Sequence, residues 1–299
     1  MNWLLRHPFV FLLFGLLCVV VGLVSVGVYV LIRPERISSK SAPSLPAEGF
    51  DHAPFAALLE RFVNPQGEVD YAAWRADAEA RAGLEGYLAN LAAVSPKSAP
   101  ERFPEPGAKL SYWLNAYNAC VIAGVLRHWP LKSVHEVQGP AEITAGFGFF
   151  ARLEFDLGGD WLTLHHLEQS LIRVEFTDPR VHFILNCASG SCPPIRPQVP
   201  TGPDLEERLS KAAHDFVNDP AQIQIDAEAK RVGVSSIFVW YEADFTAALQ
   251  RRGLPPSEQT LLRYLEDLAE PPLASQLREA RQAGFAVEAL DYDWSLNGH

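Results

Sequence analysis

The amino-acid sequence predicts an α+β fold: a single globular domain with a mixed or antiparallel sheet packed by helices, preceded by one transmembrane helix. Three observations support this prediction. Helix-type and strand-type patterns alternate irregularly instead of forming regular βα units, no internal repeat is present, and a long apolar segment stands at the N-terminus. A chain of 299 residues, 48% of them hydrophobic, can bury a sizeable core.

The N-terminal segment is predicted to be a membrane anchor. Residues 9–32 carry no charge, and a helix of that length can cross a hydrocarbon core of about 30 Å. A cleaved signal peptide is the alternative, but its apolar region usually has about 7–15 residues and ends at a small-residue cleavage site. Because Ser25-Val26-Gly27 matches such a site poorly, we expect a tail at 1–8 and an uncleaved anchor at 9–32 that binds the lipid bilayer.

The orientation of the anchor depends on two opposing signals. Arg6 precedes the apolar segment, whereas Arg33, Arg36 and Lys40 follow it, and this count alone favours a cytoplasmic domain. A short N-terminal tail, however, more often stays inside as part of a signal-anchor. We therefore expect a single-pass protein of the inner membrane whose globular domain is extracytoplasmic.

A tether and one globular domain follow the anchor. Residues 33–49 are rich in Ser and Pro and are typical of a linker, and the domain is expected to span 50–299. Its helices are predicted from apolar spacing and from terminal signals such as Thr163 as a cap, Pro203 in a first turn and Pro130 after a last turn. They are predicted at 55–62, 84–93, 108–128, 163–173, 203–217, 258–268 and 275–282.

The strands are predicted from alternating or β-branched runs between turn residues. A hairpin is expected over 150–164 because Gly158-Gly159-Asp160 separates two alternating stretches. A buried strand is expected at Val181–Leu185, a strand pair at 222–226 and 232–240, and a last strand at 285–290. Strands of this kind, interspersed with helices, predict a mixed or antiparallel sheet.

Charge and cysteine content exclude two classes of protein. The net charge is −11 and no cluster of Lys and Arg is present, so the sequence does not predict a nucleic-acid partner. The cysteines are one close pair, Cys187 and Cys192, together with Cys18 in the anchor and Cys120, which is not a disulfide framework. Cys120 falls in an apolar helix and is expected to be a small buried hydrophobic residue.

The segment His182–Pro194 is the densest group of reactive side chains. It runs from an apolar stretch into a Ser/Gly loop that carries Cys187 and Cys192, where a scaffold often presents functional groups. The two cysteines could form a disulfide across the turn. Alternatively, one of them could be a nucleophile with His182 as its base, and Ser189 would then be a binding residue. On a strand, His182, Ile184 and Asn186 would share a face.

Metal binding is a third interpretation of the same segment. His165, His166 and His182 could add imidazole donors to the two thiols. No second pair with the spacing of a zinc site is present, however. We therefore predict neither a metal site nor a cofactor.

Two further elements carry polar residues beside apolar ones. Asn115 and Asn118 share one face of the predicted helix 108–128; they could bond to neighbouring backbone or serve as substrate-binding amides. Glu168 lies beside the apolar face of the predicted helix 163–173, where it could orient a histidine or pair with an arginine. The acidic and aromatic stretches 241–245 and 291–297 are expected mainly to pack the core.

These segments together resemble a bacterial and plant family known as domain of unknown function 547. The motifs that carry the resemblance occur in order, at Gly67–Tyr71, Tyr112–Ala119, Leu162–Arg173, His182–Pro194, Trp240–Phe245 and Tyr292–Asn297. They extend over most of the predicted domain. One departure is Gln169, where the family often has a histidine. The resemblance implies no reaction.

A weaker resemblance concerns the helix that contains Asn115. The stretch from Asn115 to Arg127 is similar to the nucleophile helix of papain-like and transglutaminase-like proteins, and Asn115 stands where their catalytic cysteine would be. This similarity implies that the nucleophile was either lost or moved to Cys187 or Cys192. It is an analogy at the level of the fold and implies no activity by itself.

Two functions remain open from the sequence. The first is a thiol-dependent hydrolase or acyl transferase acting on peptide or amide bonds. Cys192 or Cys187 would be its nucleophile, His182 its base and Glu168 the orienting acid, with Asn115 as the stabilising amide. The second is a non-catalytic binding or scaffold domain in which Cys187 and Cys192 form a disulfide turn.

Overall fold

The computed structural model describes residues 34–139 and 144–299, which fold into helices and two small sheets. The α-helices are α1 Ala53–Phe62, α2 Tyr71–Ala76, α3 Ala78–Ala93, α4 Pro106–His128, α5 Leu164–His166, α6 Arg173–Phe176, α7 Leu205–Val217, α8 Ser236–Trp240, α9 Glu242–Arg251, α10 Leu261–Leu268 and α11 Leu273–Gln282. Short 3-10 helices lie at Pro100–Arg102, Val134–Glu136, Pro179–Phe183 and Pro256–Glu258, and π-helical turns at Gly148–Arg152 and Leu167–Ile172.

Each sheet has three strands and mixes parallel with antiparallel pairing. In the first sheet β2 (Leu153–Leu157) lies between β1 (Glu35–Ile37), which is parallel to it, and β3 (Asp160–Thr163), which is antiparallel. In the second, β5 (Arg231–Val234) lies between antiparallel β4 (Ile223–Asp226) and parallel β6 (Ala286–Ala289). The predicted α+β class, with mixed sheets packed by helices, is confirmed.

Helix α4 is the central element of the core. Pro106 occupies its first turn, where the absent N–H of proline costs nothing. Every residue from Leu110 to Leu126 is buried, as expected for a helix that is enclosed on all sides. The main core cluster surrounds this helix and includes α1, α3 and the first sheet. The predicted helix 108–128 is therefore confirmed, and its polar residues must bond within the protein.

The predicted hairpin and the helix after it are also present. Gly158 and Gly159 make the turn between β2 and β3 with φ of +69° and +90°, a region that glycine adopts without strain. The Thr163 hydroxyl accepts a hydrogen bond from the His166 N–H at 3.1 Å and so caps α5. The helical path continues through the π-helical turn Leu167–Ile172 into α6, with Glu168 in that turn.

The predicted strand Val181–Leu185 is wrong. Pro179–Phe183 is a 3-10 helix, because Asp178 caps it by accepting from the Arg180 N–H and Pro179 fits its first turn. Residues three apart lie on the same side of such a helix. The alternation expected for a strand, with His182, Ile184 and Asn186 on one face, therefore does not apply.

The predicted strand 232–240 is correct only in its first part. Strand β5 ends at Val234, and the following residues turn into helix α8. The turn begins where the Ser235 N–H donates to the Gln222 carbonyl. A second core cluster around Phe183, Phe238 and Phe245 packs this region together with the later helices. It brings α9 against the 3-10 helix Pro179–Phe183.

Part of the predicted tether contacts the domain. Besides the β1 pairing, the Ser39 hydroxyl donates to the Glu85 carbonyl, and the Ser44 N–H donates to the Asn90 amide oxygen. Within the described ranges, no helix combines the length and apolar character needed to cross a membrane. The predicted anchor, residues 9–32, lies outside the described residues.

Candidate functional site

The four residues predicted to be catalytic line one cavity of about 340 Å³, here called the disulfide cavity. Six of its fourteen lining residues are Phe, Trp or Tyr. The lining residues are Tyr117, Phe150, His165, Glu168, Gln169, His182, Leu185, Cys187, Cys192, Ile237, Trp240, Tyr241, Tyr292 and Trp294. An aromatic cavity with a few convergent polar groups is the usual form of a ligand site.

Cys187 and Cys192 are joined in a disulfide bond, one of the alternatives left open by the sequence. Each sulfur atom has hydrogen-bonding neighbours. The backbone N–H of Cys187 lies 2.8 Å from the Cys192 sulfur, and the hydroxyls of Ser189 and Tyr292 lie 3.0 and 3.1 Å from the Cys187 sulfur. Such donors favour the charged form of a thiol once the bond is reduced.

His182 is buried and held from two sides. Its Nε2 donates to the Asp244 carboxylate at 2.8 Å, and its ring stacks on Tyr241 with the centroids 3.7 Å apart. The sequence pointed to Glu168 as the orienting acid, and this assignment is wrong. Asp244, from helix α9, fills that place because the second core cluster packs α9 against the helix that carries His182.

Asp244 also binds Arg173 through two hydrogen bonds. Arg173 Nε and Nη2 donate to the two carboxylate oxygens at 2.7 and 3.0 Å. Partial burial would raise the pKa of Asp244, but the hydrogen bonds from His182 and Arg173 outweigh burial and hold that pKa well below its usual range. The carboxylate therefore stays ionised at neutral pH and carries a charge next to the imidazole.

Glu168 contacts Tyr241 instead of a histidine. The Tyr241 hydroxyl donates to Glu168 Oε1 at 2.5 Å, and the Gln169 amide donates to the same oxygen at 3.1 Å. Burial first, and then the Glu168 charge, raise the pKa of Tyr241 well above its usual range. Gln169 in turn accepts from Arg173, so it connects Glu168 to the Arg173–Asp244 pair.

The two asparagines of α4 lie away from this cavity, on the same face as predicted. Asn118 bonds only to backbone: it donates to the Ile184 carbonyl at 3.0 Å and accepts from the Asn186 N–H at 2.9 Å. Asn115 donates to the Pro200 carbonyl at 2.7 Å. Both line a different cavity, of about 440 Å³.

Ser189, the third predicted binding residue, lines a polar cavity on the other side of the cysteine loop. Its hydroxyl donates to the Tyr292 hydroxyl at 2.8 Å. The C-terminal stretch holds the loop in place through backbone bonds, from Gly190 N–H to the Ser295 carbonyl and from Ser191 N–H to the Asp293 carbonyl. Burial raises the pKa of Tyr292 to about 12.

No sequence pattern indicates Asp244 and Tyr292 as site residues. Both lie in the acidic and aromatic stretches that were assigned mainly to the core, and only their position in the fold distinguishes them from core residues. Of the two neighbouring histidines considered as metal donors, both are exposed, and His165 lines the cavity whereas His166 does not. In the described part of the chain, no three or more His, Cys, Asp or Glu side chains are grouped to hold a metal ion.

Residues 102–217 match the family model described as "Protein of unknown function, DUF547". This segment belongs to the DUF547 family. The DUF547 segment contains both cysteines, His182 and Glu168, whereas Asp244 and Tyr292 lie after it. No curated protein and no solved structure matches the chain.

Proposed function

We propose that this chain is a thiol-dependent hydrolase or acyl transferase acting on peptide or amide bonds, and that the disulfide cavity is its active site when the Cys187–Cys192 bond is reduced. The observation that supports this proposal is the meeting of both cysteines and His182 on one cavity wall. A partly buried carboxylate orients the imidazole, the arrangement that activates nucleophiles in hydrolases.

Cys187 is the proposed nucleophile, with Cys192 as its resolving partner. A dithiol reductant converts the disulfide to two thiols and is itself oxidised to a disulfide. The Tyr292 hydroxyl, which lies 3.1 Å from the Cys187 sulfur and accepts from the Ser189 hydroxyl, would then donate to a Cys187 thiolate and stabilise it. Cys192 would remain beside the Cys187 N–H.

His182 is the proposed proton carrier. Because Nε2 donates to Asp244, Nδ1 is the ring nitrogen left to accept a proton. The Cys187 thiol gives its proton to His182 Nδ1, and the thiolate attacks the carbonyl carbon. A C–S bond forms, the C–N bond breaks, and the amine leaves with the proton from His182. Water or another acceptor then attacks the acyl group and gives its proton to His182, which breaks the acyl–sulfur bond and restores the thiolate.

The reactivity of the thiol tests this mechanism without knowledge of the substrate. In the Cys192→Ser variant Cys187 is free, and we expect it to react with iodoacetamide at pH 6 at least tenfold faster than free cysteine does. Adding Tyr292→Phe should slow this reaction, because one donor to the sulfur is lost. Cys120→Ala is the matched control, since the Cys120 thiol is buried. A Cys187 no more reactive than free cysteine would contradict the proposal.

Activity is the second test. With a panel of peptide amides and thioesters, the wild-type chain should be active only with a dithiol reductant, and Cys192→Ser should be active without one. Cys187→Ser should be inactive, and His182→Gln should lower kcat by about 10² or more. Equal activity of the Cys187→Ser and wild-type chains would assign catalysis elsewhere.

A non-catalytic binding domain is the second candidate, and the disulfide itself favours it. A covalent turn held by Ser295 and Asp293 backbone bonds could simply fix the shape of an aromatic cavity. In that case the reduced thiols should be no more reactive than free cysteine, and breaking the disulfide should lower the melting temperature without revealing activity.

We also propose that residues 9–32 anchor the chain in the inner membrane with the domain on the extracytoplasmic side. The uncharged apolar sequence supports this proposal. An alkaline phosphatase fused to the C-terminus should be active in cells, and an inactive fusion of normal abundance would contradict the orientation.

A further inference from the structure

A second cavity lies on the other side of helix α4 from the disulfide cavity. It is here called the Asn115 cavity and is bounded by α4, the segment 194–200 and helix α7. Its volume of about 440 Å³ is in the range of small-molecule sites. It shares no lining residue with the disulfide cavity.

An unpaired acceptor marks this cavity. The Asn115 side chain is fully buried, and its Nδ2 donates to the Pro200 carbonyl at 2.7 Å. This bond fixes the orientation of the amide, because the nitrogen and not the oxygen must face a carbonyl. The Oδ1 atom has no hydrogen-bond partner. A buried acceptor left unpaired costs about 1–3 kcal/mol, so a ligand that supplies an N–H or O–H is favoured here.

Basic groups stand at the same cavity. Lys211 is neutralised by Asp215, and Arg208 by Asp204. Arg196 donates to the Pro65 carbonyl at 2.6 Å, and within 34–139 and 144–299 no carboxylate lies within ion-pair distance of it. A guanidinium of this kind binds a carboxylate through paired hydrogen bonds.

The remaining acidic residue of the lining does not compete for Arg196. Asp219 accepts from the Ala221 N–H and the Gln222 amide instead. The rest of the wall is largely apolar and includes Leu59, Val199 and Phe216. The cavity therefore combines an apolar wall, one cation without an acidic partner and one acceptor without a donor.

We propose that the Asn115 cavity binds a small amphipathic carboxylate. The apolar body of the ligand packs on the apolar wall, its carboxylate pairs with Arg196, and an N–H or O–H of the ligand donates to Asn115 Oδ1. This inference does not depend on the proposed thiol chemistry, because the two cavities have separate walls.

Three related probes test the ligand chemistry by calorimetric titration of the full chain. N-decanoylglycine carries the chain, the carboxylate and an amide N–H, and we expect saturable binding. N-decanoylsarcosine lacks the N–H, and N-decanoylglycinamide lacks the charge; each should bind at least tenfold more weakly. Absence of saturable binding by N-decanoylglycine, or equal affinity for the three probes, would overturn the proposal.

Variants locate the site. Arg196→Gln should lower the affinity for N-decanoylglycine at least tenfold, and Ala212→Phe should prevent its binding by filling the cavity. Arg75→Gln, at an exposed arginine outside the cavity lining, should leave the affinity unchanged. Asn115→Ala should abolish the preference for N-decanoylglycine over N-decanoylsarcosine, a loss that misfolding alone does not produce. Unchanged preference in Asn115→Ala, or unchanged affinity in Arg196→Gln, would contradict the assignment.

Alkylation of reduced Cys187 should leave binding of N-decanoylglycine intact, which separates this inference from the proposed function.

Discussion

The imidazole of His182 and the carboxylate of Asp244 lie 2.8 Å apart, although 62 positions separate them in the sequence. The same carboxylate takes two hydrogen bonds from Arg173. Asp244 therefore joins α6, the 3-10 helix Pro179–Phe183 and helix α9 at one point. Two of these three elements lie in the DUF547 segment, and α9 follows it.

Removal of the Asp244 charge should destabilise the protein. We expect Asp244→Asn to lower the free energy of unfolding by about 2–4 kcal/mol, because Arg173 is left without its charged partner in a partly buried position. Urea denaturation measures this change. Glu242→Gln, at an exposed carboxylate in the first turn of the same helix, is the control and should change stability by less than about 0.5 kcal/mol.

The Asp244 carboxylate should also affect how the free energy of unfolding depends on pH in acidic solution. Since the folded-state pKa of Asp244 is depressed, its contribution is complete above the unfolded pKa of about 3.9 and is lost as the pH falls toward the folded pKa. In Asp244→Asn the decline of unfolding free energy below pH 4 should be shallower than in the wild type. An identical decline in both proteins would mean that the carboxylate titrates normally.

His52 should give a separate pH dependence nearer neutrality. Burial lowers the pKa of His52 to about 4, despite the opposing charge of Asp51. Between pH 6.5 and 4 the unfolded chain binds a proton that the folded chain does not, so the free energy of unfolding falls with falling pH, by about 3 kcal/mol. His52→Gln should remove this component, and His166→Gln, at an exposed histidine, should keep it.

The hairpin turn allows a matched pair of glycine substitutions. Gly158 and Gly159 both have positive φ, but a Cβ on Gly158 would lie 2.3 Å from the Ser95 hydroxyl, whereas a Cβ on Gly159 meets open space. We expect Gly159→Ala to lower the free energy of unfolding by about 1 kcal/mol, because only the backbone is strained. Gly158→Ala should lower it by about 2–4 kcal/mol, because the new Cβ also clashes with Ser95. Equal melting temperatures of the two variants would argue against close packing of the turn on Ser95.

Cys120 should be inert in the folded protein. Burial raises its pKa far above the usual range, and the side chain is fully buried in α4. After reduction, iodoacetamide followed by peptide mapping should show modification at Cys187 and Cys192 and none at Cys120, until a denaturant is added. Modification of Cys120 under native conditions would indicate local opening of the central helix.

Elements with strong local signals could be predicted from the sequence. Helix α4 has apolar residues at helical spacing and a proline beyond its end, and the hairpin has a Gly-Gly turn. The prediction of a strand at Val181–Leu185 is wrong because a short apolar run does not distinguish a strand from a buried helical turn. Asp178 and Pro179 just before it were the signals for a helical start.

The site could be predicted only in part. The two cysteines, His182 and Glu168 were selected by residue type and spacing, and they do line one cavity. The partner of His182 could not be predicted from the sequence. Asp244 reaches the imidazole because α9 packs on the second core cluster, and no local sequence pattern indicates that packing. Asn115 and Asn118 share a face as expected from their spacing, but the opposite face of α4 holds Tyr117 toward the disulfide cavity.

Asn118 connects the two cavities. Its side-chain amide donates to the Ile184 carbonyl and accepts from the Asn186 N–H, so a residue that lines the Asn115 cavity is bonded to the backbone between His182 and Cys187. These two bonds connect the wall of the Asn115 cavity to the backbone between the imidazole and the sulfur on the far side. Thermodynamic linkage requires that any change in affinity transmitted through Asn118 be the same factor in both directions.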